Sequence, residues 1–114
     1  LIARRKAGKQ MAGCWEFPGG KIETGESPEE SLIREMKEEM DVVVRGGEKI
    51  AEALYQYDFG TVCLKAFETH ILSGSIRLLD HDAMAWASMD EMSRYGMTPA
   101  DEPLIELLRK WMRN

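Results

Sequence analysis

A glycine-rich loop that feeds a capped helix constrains this chain more than any other stretch: Pro18-Gly19-Gly20-Lys21, then Ser27-Pro28-Glu29-Glu30 opening an amphipathic run to about Met40. Ser27 stands as N-cap, Pro28 suits the first helical position because its missing N–H is not needed there, and Glu30 completes a capping box. At 100° per residue, Leu32, Ile33, Met36 and Met40 gather as a buried stripe, while Glu35, Glu38 and Glu39 share an arc of about 100°. Like charges at this spacing repel by roughly 0.3 kcal/mol per pair in water, and by more in a cleft. Something positive is expected beside them. Hard oxygen donors suit Mg²⁺ or Mn²⁺; the competing reading is a solvated acidic face with Arg34 and Glu38 as an i,i+4 pair.

With 114 residues and 44% hydrophobic content, the chain has room for one core, which predicts a single domain over residues 1–114. No stretch approaches the roughly 20 apolar residues of a membrane span and no signal peptide is visible, so the expected location is cytoplasmic, away from membranes. Leu1-Ile2-Ala3 reads as the middle of a strand, which predicts a further strand upstream of residue 1. The net charge of −5 argues against nucleic acid as the main partner, since that affinity rests on Lys and Arg at phosphates. A free nucleotide arriving with its metal remains compatible with it. Cys14 and Cys63 lack metal-ligand spacing and read as reduced, space-filling thiols, and the eight methionines read as core filling.

The order of elements is strand, helix, strands, then helices. Leu1–Arg5 reads as a strand end and Lys6–Gln10 as a polar turn. After the helix come a short strand at Val42–Val44, a turn at Arg45–Glu48, and strands at Ile50–Tyr57, Thr61–Leu72 and Ile76–Leu79, with Trp86 expected in the core. Ser88 and Glu91 form a second capping box for a short helix ending near Tyr95-Gly96. Leu104, Leu107, Leu108 and Trp111 recur at helical spacing in the last helix, with Asp101 as its natural N-cap.

Gly20, five residues, Glu26, seven residues, Arg34-Glu35-Met36, one residue, Glu38-Glu39, one residue, Asp41-Val42 resembles the signature box of the Nudix hydrolase superfamily. The one departure is Asp41, where the family has a glycine. That glycine serves the turn ending the helix, and aspartate tolerates a left-handed conformation at a cost on the order of 1 kcal/mol. The flanks resemble the MutT-like, CTP pyrophosphohydrolase-like branch.

The resemblance implies a Nudix-type α/β/α sandwich with a mixed β-sheet, and a metal-dependent hydrolase of small-molecule nucleotides, as monomer or homodimer. The Mg²⁺ or Mn²⁺ ligands it implies are Glu35, Glu38, Glu39, Gly20 and Asp80, with Arg34 orienting Glu35 and Glu26 supporting the loop. Glu35 is the first choice of general base and Asp80 the second. Arg5, Phe17, Lys21 and Asp101 match substrate-facing positions, although Phe17 and Trp15 fit the core equally well. His81 reads as loop-fixing. A carboxylate at Asp101 accepts from an exocyclic amine such as cytosine N4, or suits an oxidised purine if protonated; the N-cap role stays open beside these. The activity implied is pyrophosphate release from a nucleoside triphosphate such as CTP, 5-hydroxy-dCTP or 8-oxo-dGTP. The alternatives are a hydrolase of ADP-ribose or another nucleoside diphosphate derivative, and a non-catalytic nucleotide-sensing module, which the retained glutamates disfavour.

Overall fold

The computed structural model describes residues 1–20 and 22–112. The chain folds in the order β1 (Ile2–Arg5), β2 (Trp15–Glu16), α1 (Pro28–Met40), β3 (Val43–Tyr57), β4 (Gly60–Ser73), β5 (His81–Ala85), α2 (Met89–Met92) and α3 (Glu102–Met112). Strand β1 lies between β2 and β5, antiparallel to both, and β3 and β4 form a separate antiparallel ribbon. A parallel bridge from Trp15 to Met97 adds the mixed character.

Alternation along β1 divides the core. Ala3 packs with Met36, Met40, Val42 and Val44 on the α1 side, whereas Ile2 packs with Met92 and Met97 on the side of α2 and α3. Because successive strand residues point to opposite faces, this four-residue strand joins two layers of helix into a sandwich. Among the described residues no helix is long and apolar enough to cross a membrane.

Helix α1 forms where its signals place it. The Ser27 hydroxyl accepts from the Glu30 N–H at 3.1 Å, and Glu30 returns the bond to the Ser27 N–H at 3.0 Å. Asp41 ends the helix at φ 56° and ψ 39°, the left-handed geometry expected where the family pattern has glycine. The second capping box, Ser88 with Glu91, also forms, but its helix has only four residues.

Other expectations need correction. Arg45–Glu48 is not a turn: β3 runs through it, and register shifts around Gly46 and Lys49 absorb the irregularity as bulges. Ile76–Leu79 is not a strand. Its N–H groups at Arg77 and Leu79 instead donate to the Met40 and Glu39 carbonyls, at 2.9 and 3.0 Å, satisfying carbonyls left open at the end of α1. Trp86 is 66% exposed rather than core, since the alternation that turns Ala85 and Ala87 inward points it out. Cys63 is exposed and fills no core space.

The tip of the β3–β4 ribbon is fastened down. Tyr57 accepts at its hydroxyl from the Ala100 N–H at 3.1 Å, and its ring stacks on Phe59 with centroids 4.8 Å apart. The ribbon thereby reaches the loop that precedes α3.

Candidate active site

Arg34 is the hub of the loop-to-helix junction. Its Nε and Nη2 donate to the two Glu26 oxygens at 2.6 and 3.1 Å, while Nη1 reaches Glu35 Oε1 at 2.8 Å and Glu38 Oε2 at 3.2 Å. Glu26 Oε1 also accepts from the Glu23 N–H at 2.8 Å, so one carboxylate ties the loop to the helix. The Arg34 hydrogen bond, with that backbone donor, holds the Glu26 carboxyl below its ordinary range. Gly20 lies against Glu35, and a Cβ at this position would collide with the Glu35 carboxylate. The glycine is required here by close approach.

Glu39 sits deeper than its neighbours, 8% exposed, with the Gly19 N–H donating to its Oε2 at 3.2 Å. Burial pushes its pKa up to about 7; His81 opposes the rise, while Glu35, Glu16 and Asp80 add to it. Glu38, by contrast, stays on the rim with a 59% exposed side chain. The hydrogen bonds from 77 and 79 to the end of α1 carry the chain on to Asp80 and His81 beside Glu39, with ligand atoms of the three within 4.8 Å of one another. Asp80 is engaged by Lys9, Nζ to Oδ1 at 2.6 Å, and this partner lowers its pKa.

His81 is more than loop-fixing. Its side chain is 1% exposed and its Nε2 lies 2.9 Å from Glu16 Oε2, which raises the imidazole pKa, while Arg5 Nη1 donates to Glu16 Oε1 at 2.8 Å. Neither Glu16 nor Lys9 carries a sequence signal that singles it out. A glutamate beside aromatics on a two-residue strand, and a lysine in a polar turn, gain meaning only from what the fold puts next to them.

Asp101 occupies the N-cap position of α3, and its carbonyl accepts from the Leu104 and Ile105 N–H groups at 3.1 and 3.3 Å. Its carboxylate turns elsewhere, accepting from the Thr98 hydroxyl and the Phe17 N–H. The side chain therefore does not act as the expected cap. It is 6% exposed, and burial raises its pKa to about 6 despite those two donors. Phe17 is half-buried against the Ile2, Met92 and Met97 cluster, so its ring serves the core while its backbone faces Asp101. Arg5 is held by Glu16 and by the Gln10 carbonyl at 2.6 Å. Lys21 lies outside the described residues. A cleft of about 230 Å³ lined by Met92, Tyr95, Ile105 and Arg109 contains none of these groups.

The arrangement fits a divalent cation. Glu39 and Asp80 offer hard oxygens beside Glu35, and Glu39, raised mainly by burial and further by its acidic neighbours, is a carboxylate whose charge a cation would stabilise.

The NUDIX domain family model matches residues 1–108. This chain belongs to the Nudix family. It is 36% identical over 106 residues to the CTP pyrophosphohydrolase of Escherichia coli K12, covering 93% of this chain and 78% of that protein. It is 30% identical over 110 residues to the 8-oxo-dGTP diphosphatase of the same organism, covering 96% and 85%. The solution structure of the E. coli ORF135 protein superposes with a TM-score of 0.83 at 34% identity, covering 97% of this chain and 79% of that one. The protein is thus a Nudix hydrolase, from a family that acts on small nucleotide substrates with a divalent metal.

Proposed function

We infer that this Nudix hydrolase is a nucleoside triphosphate pyrophosphohydrolase, releasing a monophosphate and pyrophosphate from a cytosine or oxidised nucleotide such as CTP, 5-hydroxy-dCTP or 8-oxo-dGTP. The observation that carries this reading is the likeness, over more than nine-tenths of the chain, to relatives named for CTP and 8-oxo-dGTP. The site supports it with a carboxylate cluster under the Gly19-Gly20 loop and a separate buried acid, Asp101, on the side of Phe17.

Glu35, Glu38, Glu39, Asp80 and the Gly20 backbone oxygen would hold Mg²⁺ or Mn²⁺, which when bound neutralises phosphate charge and acidifies a coordinated water. Arg34 fixes one Glu35 oxygen through a charge-assisted bond and leaves the other for a proton, which favours Glu35 as general base. Asp80, lowered by Lys9, is the weaker base. Glu26 keeps Arg34 in place. Lys21 supplies a point charge to the phosphates, and Arg5 and Asp101 meet the nucleoside. A nucleotide substrate supports a cytoplasmic location, beside the nucleotide pool.

The test is pyrophosphate release from a panel of triphosphates and ADP-ribose, with Mg²⁺ and with chelator. The expected result is metal-dependent pyrophosphate from cytosine or oxidised nucleotides. Monophosphates from ADP-ribose alone, or silence throughout, would overturn the reading.

A further inference from the structure

Glu16 is the carboxylate that the proposed chemistry leaves without a task, yet both of its oxygens are engaged. Oε1 accepts from Arg5 Nη1 at 2.8 Å and Oε2 faces His81 Nε2 at 2.9 Å, with the Glu16 side chain 15% exposed. These partners come from two other strands. The β1–β5 register passes from Arg4 opposite Ala83 to Arg5 opposite His81, and this bulge skips Asp82, which pairs with Arg4 at 2.7 Å instead. A bulge re-aims side chains, and here it sets Arg5 and His81 where one carboxylate meets both.

His81 Nδ1 has no hydrogen-bond partner among the described residues, so Glu16 supplies the bond that fixes the ring. That ring stands against Glu39 and Asp80. Glu16 thus bonds both to Arg5 on β1 and to the His81 that stands with Glu39, joining two parts of the site.

We propose that Glu16 is a positioning residue that holds Arg5 on the nucleoside side and His81 on the phosphate side in one register. The proposal rests on the pyrophosphohydrolase reading. A carboxylate accepts at two oxygens, whereas glutamine accepts at one and presents an amide N–H₂ to the second donor; aspartate keeps the charge but is a methylene short. An ion pair that serves stability alone would lower the melting temperature and leave the kinetic constants in place. A bridge moves two constants, each through a different partner.

The experiment compares Glu16→Gln, Arg5→Met, His81→Asn and the double variant E16Q/R5M in the full chain, measuring KM and kcat with CTP, 8-oxo-dGTP and Mg²⁺. The expected result is about tenfold higher KM from R5M, about tenfold lower kcat from H81N, and both changes from E16Q. In the double variant KM rises by less than about twofold beyond E16Q, because the Arg5 contribution already depends on Glu16. Glu16→Asp, which retains the charge, serves should the glutamine variant fail to fold, and is expected to show the same paired loss. A second readout needs no turnover: of the two histidines, His81 shows a protected ring N–H by NMR that shifts in R5M and disappears in E16Q. Unchanged KM and kcat in E16Q or E16D, additive effects in the double variant, or a His81 resonance indifferent to both substitutions would overturn the bridge. Wild-type silence toward every triphosphate overturns the reading beneath it, and the ring resonance then decides whether Glu16 joins Arg5 to His81.

Discussion

Asp101 behaves as two different hydrogen-bonding groups on either side of pH 6. Its pKa is raised to about 6 because burial penalises the charge more than the Thr98 and Phe17 donors favour it. Above that pH the carboxylate only accepts and suits the N4 amine of cytosine; below it the acid also donates and suits the carbonyl of an oxidised purine. The ratio of kcat/KM for CTP to that for 8-oxo-dGTP should therefore fall about tenfold between pH 7.5 and 5.5, the range of one good base contact. In Asp101→Asn, which offers donor and acceptor at every pH, the ratio should be flat and displaced toward the purine. Parallel pH profiles in the two proteins would leave Asp101 without a part in base selection. From the sequence this residue is expected to meet the base, with a helix-cap role left open beside it. The fold turns the carboxylate toward Phe17, just past β2 and far away in sequence, which no local pattern encodes.

Helix α1 is the element whose form follows most closely from its own residues. Capping box, proline at the start and left-handed aspartate at the end all act within one turn of where they stand. Asp41 carries the cost of that last geometry, partly offset by Lys37 at 2.9 Å. Asp41→Gly should stabilise the protein by about 0.5–1 kcal/mol, since glycine meets no Cβ clash at positive φ, with kcat unchanged. Urea unfolding of the two proteins checks this, and a loss of stability would mean that the ion pair outweighs the strain. The segment 76–79 shows the opposite dependence. Its apolar residues read as a strand, yet its N–H groups have better use at the open carbonyls of α1, and that choice delivers Asp80 to Glu39.

At the scale of the whole molecule, the site is held at a cost to stability that pH and metal reveal. Glu39 and Asp101 have folded pKa values raised to about 7 and about 6 from 4.5 and 3.8, so the unfolded chain loses these protons first. Without metal, stability is therefore greatest below pH 4 as far as these groups decide it, and falls as pH rises to about 7. Glu39→Gln should cut turnover by orders of magnitude while raising stability at pH 8 in chelator by up to about 3 kcal/mol, a gain that vanishes near pH 4. Adding Mg²⁺ should raise the melting temperature of the wild type by more than that of the variant. A variant less stable than wild type at pH 8 would show that burying the Glu39 charge does not destabilise the fold. What the sequence offers in advance is local: Glu35, Glu38 and Glu39 share a helix face by periodicity, while Glu26 and Arg34 stand out through the resemblance of the loop and helix to the Nudix box. Glu16 and His81, 65 residues apart, meet only because β1 pairs with both β2 and β5. Trp86 points outward because the strand alternation around it is set by Ala85 and Ala87. Short-range steric and hydrogen-bonding rules thus determined from sequence alone where α1 begins and ends and which acids share its face. Which of those acids is buried, what lies opposite it and which oxygens remain free depended on long-range packing of the sheet, since burial and pairing are properties of neighbours that the chain brings together only when folded.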